Sequence, residues 1–100
     1  MKRTKNMIYN ETVESRELVL YATNDSRLYN SIVLPIIANL KRKYKKGCYD
    51  SDRAIDAWYH LANAASDLYN KDFGYRFNVQ ERYTAAVDFE SFYFENVKED

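Results

Sequence analysis

The sequence predicts an all-α domain, a compact bundle of about four antiparallel helices, the second of them kinked at Pro35. Three observations predict it. Apolar residues recur at the three- and four-residue spacing of a helical face along most of the chain. Two Gly and one Pro in 100 residues are too few turn-formers for many short strands. A hydrophobic content of 46%, with ten Tyr, five Phe and one Trp, gives a single-domain length enough bulk for one modest core.

Residues 1–10 lack helical periodicity and read as a short basic arm; residues 11–100 read as the helical domain. A first helix is predicted from Thr12 to about Thr23. Glu11 and Glu14 favour its start, although Thr12-Val13-Glu14-Ser15 lacks the Glu or Gln of a full capping box. Leu18, Tyr21 and Ala22 share its core face, and Asn24-Asp25-Ser26 ends it and caps the next helix. The second helix is predicted from about Ser26 to Lys46. Leu28, Ile32, Ile36 and Leu40 form its stripe, widened by Tyr29, Val33, Ile37 and Tyr44. Pro35 lies inside this pattern without an N–H to donate, so a kink or a break is expected there. Gly47 is a left-handed terminator.

Asp50 or Ser51 caps a third helix running to about Asp72, with Ala54, Trp58, Leu61, Ala65 and Leu68 facing the core. Ala57, Ala62 and Ala64 permit close approach, and Phe73-Gly74 closes the helix. Asn78 and Glu81 have capping-box spacing and open a fourth helix to about Val97. Val79, Tyr83, Ala86 and Val87 lead its stripe, joined by Phe89, Tyr93, Phe94 and Val97. Connections of about three to six residues are short enough for consecutive helices to be neighbours. Trp58 and Leu61 are expected to face Leu28, Ile32, Ile36 and Leu40.

Charge is divided along the chain although the net charge is zero. Residues 1–46 carry ten Lys/Arg against four Asp/Glu, or +6, and residues 47–100 carry five against eleven, or −6. Two oppositely charged halves can attract each other, a second copy or a partner. The switch falls where Lys41-Arg42-Lys43-Tyr44-Lys45-Lys46 meets Gly47-Cys48 and Tyr49-Asp50-Ser51-Asp52. Three readings of the basic run stand open. It complements the partial negative charge of a helix C-terminus, it holds a nucleic-acid backbone with Tyr44 stacking on a base, or it meets an acidic protein or a second copy.

Phe92-Tyr93-Phe94 points rings in three successive directions, more than one helix face can bury, so at least one ring is expected at an interface or against the N-terminal arm. The candidate interaction surface is therefore Lys41, Arg42, Lys43, Tyr44, Lys45 and Lys46 with Phe92, Tyr93 and Phe94. The remaining chemistry is sparse. Cys48 is single, so neither an internal disulfide nor a Cys-based metal site follows. Asp52, Asp56 and His60 lie at one-turn spacing on one helix, but Asp56 and His60 alone are too few for zinc. Two glycines cannot build a phosphate loop, and no nucleophile motif is visible. No catalytic residue, metal or cofactor is expected, and no segment reads as a signal peptide or membrane span.

Taken together, Ser15-Arg16-Glu17-Leu18, Asn24-Asp25, Leu28-Tyr29, Pro35-Ile36 with Asn39-Leu40, Gly47 with Tyr49-Asp50, Phe73-Gly74 and Arg82 with Ala85-Ala86 resemble a group of short uncharacterised proteins encoded by tailed bacteriophages. The resemblance covers roughly residues 12–97; the dense Lys41–Lys46 run and the Phe92–Phe94 cluster depart from it. It brings no catalytic residues. It implies a viral accessory protein in the cytoplasm of an infected bacterium, acting by binding a host or phage protein, counter-defence being one such role. Separately from the resemblance, the opposite half-charges and the surplus of aromatics on the last helix predict self-association into a homo-oligomer, most simply a two-fold dimer. A nucleic-acid-binding accessory protein using Lys41–Lys46 is the alternative.

Overall fold

The first backbone N–H groups of a helix have no partner within it, and this chain places a short polar side chain at the four starts that follow a loop. The computed structural model describes residues 8–99. It contains α1 (Val13–Thr23), α2 (Ser26–Leu28), a π-helical segment (Tyr29–Val33), α3 (Leu34–Lys45), α4 (Ser51–Phe73) and α5 (Val79–Lys98). The structure is an all-α bundle, and its Cα radius of gyration of 13.1 Å equals the roughly 13 Å of a compact domain this long. Thr12 caps α1, Asp25 caps α2, Asp50 caps α4 and Asn78 caps α5. Thr12 and Ser15 do form a reciprocal capping box, contrary to the sequence expectation. The Ser15 hydroxyl accepts from the Thr12 N–H at 2.9 Å, the task usually performed by Glu. Gly47 and Gly74 both adopt φ 74°, the left-handed conformation that ends α3 and α4 without a Cβ penalty.

In the region where Pro35 predicts an irregularity, the chain winds as a π-helix. The Leu34 N–H reaches back five residues to the Tyr29 carbonyl, and Pro35 follows in the first turn of α3. The wider turn inserts one residue into the apolar register. Leu28, Val33, Ile37 and Leu40 are consequently the buried set, while Ile32 and Ile36, expected on the four-residue series, are only half-buried. A strict four-residue count cannot see such an insertion.

Trp58, Leu61, Phe89, Leu18 and Val33 are fully buried, with Ala54, Ala62, Ala65, Ala85 and Ala86 closing the helix contacts. The Trp58 ring stacks on Tyr93 of α5 at 4.7 Å and 19°, with Phe89 at 6.5 Å. Trp58 thus shares the core cluster with Leu28, Ile37 and Leu40 of the second predicted helix and in addition stacks on the last helix. Val79, expected in the core, is 48% exposed because it is the first residue of α5.

Of the predicted basic arm, residues 1–7 lie outside the described residues; Ile8, Tyr9 and Asn10 run beside α5. The buried Thr84 hydroxyl accepts from the Asn10 N–H at 3.0 Å and donates to the Asn10 carbonyl at 3.3 Å. Gln80 Nε2 donates to the Ile8 carbonyl, and the Tyr9 hydroxyl donates to Asp88 at 2.9 Å. Thr84→Val preserves volume but removes both bonds to Asn10. It should cost about 1 kcal/mol in chemical denaturation and speed amide exchange at Asn10; unchanged exchange there would show that Thr84 does not pin this strap.

Candidate interaction face

The predicted surface residues come together only in part. Arg42, Lys43, Lys45 and Lys46 are exposed at the end of α3, and Lys41 is half-buried. Arg42 donates to Asn39 Oδ1 at 3.1 Å. The last carbonyls of α3 already receive backbone bonds, Lys43 from the Cys48 N–H at 2.8 Å and Tyr44 from the Gly47 N–H at 3.1 Å. Tyr44 joins the run to the last helix: its ring lies 6.0 Å from Tyr49 and 6.1 Å from Phe94, edge-on to both. Tyr49 and Phe94 are 5.3 Å apart, and Lys98 Nζ sits 5.1 Å over the Phe94 ring. The Tyr49 hydroxyl donates to Glu90 Oε2 at 2.6 Å, and burial followed by this carboxylate pushes its phenol well above the usual range.

The three successive aromatics therefore divide. Tyr93 goes to the core against Trp58, Phe94 enters the Tyr44–Tyr49 cluster, and Phe92 stays 59% exposed. Phe92 marks a surface that sequence reasoning missed, the outer face of α1.

On that face Val13 is 74% exposed and Leu20 58% exposed, and Phe73 at the end of α4 is 67% exposed. Three shallow grooves run together here. Leu20 lines one with Val19 and Phe92 and the next with Tyr21 and Phe73. Glu17 and Phe73 continue into the third, with Val13, Tyr69 and Tyr75. The result is a strip along α1 on which the exposed apolar side chains Val13 and Leu20 are separated by the exposed Arg16 and Glu17, with Phe92 and Phe73 exposed on its flanks. Val13 and Leu20, seven residues apart and so on one helical face, were the available signal. Leu18, Tyr21 and Ala22 account for the core contact of this short helix, so its periodicity alone does not point to a second exposed face.

The strip is bordered by carboxylates that tyrosines hold in place. Tyr9 donates to Asp88 at 2.9 Å, Tyr21 to Asp72 at 2.9 Å, Tyr69 to Glu17 at 3.4 Å and Tyr75 to Glu81 at 3.3 Å. A phenol fixes a carboxylate's position without neutralising it. Among the described residues the ion pairs are Arg27–Asp25 at 2.6 Å and Lys98–Glu95 at 3.4 Å, so Glu11, Glu14, Glu17, Asp72 and Asp88 have no cationic partner there. Burial raises the Asp88 carboxyl and the Glu11 charge adds to the rise, against the opposing bond from Tyr9.

These pairs make an alkaline limit to stability. Burial, then Asp88, pushes the Tyr9 phenol from 10.0 up to about 12, and Tyr21, Tyr49, Tyr69, Tyr75 and Tyr93 are also raised, burial first in each. The folded chain holds these protons more tightly than the unfolded one. Their contribution is complete below pH 10 and is lost as pH climbs through the raised folded values, which for Tyr9 is about 12. Melting temperature should fall across that window while tyrosinate absorbance lags that of free tyrosine; coincident titration with constant stability would contradict the pairing.

Asp56 and His60 line an open cleft with Pro35 and Ile36. Among the described residues no group of three or more His, Cys, Asp and Glu is placed to hold a metal, and no helix is long and apolar enough to cross a membrane. Comparison with known proteins finds no matching family model, no matching curated protein and no matching solved structure.

Proposed function

We propose that this chain is a non-enzymatic binding protein that engages a protein of the bacterial host or of the phage through a helical surface, in the cytoplasm of the infected cell. The observation that carries the binding role is the gathering of the exposed side chains Val13, Leu20, Phe73 and Phe92 around three adjoining grooves on one side of the molecule. An exposed apolar cluster with a polar border is the usual mark of an interaction surface, whereas scattered exposed apolar residues are ordinary. The phage setting is supported by the sequence resemblance, and counter-defence is one role such binding would serve.

A second reading rests on Arg42, Lys43, Lys45 and Lys46, four exposed cations at one helix end, which suit a nucleic-acid backbone. The Tyr44 ring, engaged by Tyr49 and Phe94, is a poorer stacking platform than the sequence suggested. A photoreactive side chain placed at Leu20 or at Lys45 in infected cells distinguishes the two. The binding reading expects one discrete protein adduct from Leu20 and none from Lys45. Nucleic-acid adducts from Lys45, with nothing from Leu20, would replace it with the second reading.

A further inference from the structure

Resting on that binding reading, we infer that the α1 face receives a basic amphipathic helix of another protein, apolar side chains seated between Leu20 and Phe92 and cations facing Glu11, Glu14 and Glu17. Charge complementarity identifies the occupant. The residues lining the grooves include Glu11, Glu14, Glu17 and Asp88 without an ion pair among the described residues, against the single cation Arg16. An acidic partner would meet like charge along the whole strip, which suppresses binding strongly. A helix is the shape that fits, because the strip follows one helix axis with a ring on each flank, and helix-in-groove recognition reads anchors at such spacing.

A second copy satisfies these conditions less well. Two α1 faces related by a two-fold axis would set Glu14 and Glu17 against the same residues of the other copy. The chain's own basic end offers the right charge at Arg42, Lys43, Lys45 and Lys46. Its one aromatic, Tyr44, is already engaged by Tyr49 and Phe94 and leaves the apolar strip unfilled.

The test titrates the full chain with two synthetic amphipathic peptides that share one leucine stripe, the polar face being lysine in one and glutamate in the other. Fluorescence anisotropy should report binding of the lysine peptide alone, weakening as salt rises. Leu20→Ser combined with Phe92→Ser should reduce that affinity by about tenfold or more, and Glu14→Gln with Glu17→Gln should flatten the salt dependence. Light scattering on the chain alone covers self-association. No binding, equal binding of both peptides, or an affinity untouched by the Leu20/Phe92 change would each overturn the basic-helix assignment. So would an oligomer that dissociates in the Leu20/Phe92 variant, which would make the occupant a second copy. An adduct formed at Leu20 in infected cells with a different protein would still stand after the peptide results, so failure of the partner chemistry is separable from failure of the binding role, whereas an adduct with a second copy would remove both.

Discussion

Trp58→Ala should destabilise the domain by about 3–5 kcal/mol, a large share of what a chain this small possesses. The side chain is fully buried, stacks on Tyr93 and lies close to Phe89, so truncation empties the contact between α4 and α5. The indole Nε1 has no hydrogen-bond partner among the described residues. Trp58→Phe removes that orphaned donor along with part of the volume, and should therefore cost much less than the alanine change. Chemical denaturation of both variants checks this. An unchanged midpoint for Trp58→Ala would show that the indole is not the centre of the core.

Leu18→Ala should cost about 2–5 kcal/mol. Leu18 is fully buried and, with Ala22 and Ser15, anchors the inner face of α1. The outer face of the same short helix carries Val13 and Leu20, so the loss should reach function as well as stability. Native-state hydrogen exchange should show α1 amides opening more readily than those of α4 in this variant. Equal slowing or equal loss throughout the chain would mean that α1 is not a separately anchored element.

The helices were legible because their caps and stops are local. Thr12, Asp25, Asp50 and Asn78 each solve a donor problem within three residues, and Gly47 and Gly74 take the one conformation glycine supplies most cheaply. What escaped was non-local or irregular. The π-helical segment before Pro35 moved burial from Ile32 and Ile36 to Val33 and Ile37, because it adds a residue that a fixed period does not count. The pairing of Trp58 with Tyr93 joins positions thirty-five residues apart, which periodicity cannot match. At the candidate site, Phe92 was singled out by three adjacent rings competing for one face. Its companions Leu20 and Phe73 were not, since each is unremarkable alone and only the packing of α1 between the ends of α4 and α5 makes them one surface. The basic run is the densest charge in the sequence, yet its ring, 40% exposed, is also held edge-on against Tyr49 and Phe94.

The most direct test of the binding role compares three proteins as bait in infected-cell lysate: the unchanged chain, Leu20→Ser with Phe92→Ser, and Lys43→Ala with Lys45→Ala and Lys46→Ala. All these positions are exposed, so each variant should melt within about 0.5 kcal/mol of the parent, as surface changes do. The account predicts one protein recovered by the unchanged chain and by the lysine variant and lost by the Leu20/Phe92 variant. A partner kept by the Leu20/Phe92 variant and lost by the lysine variant would contradict it and move the function to the end of α3.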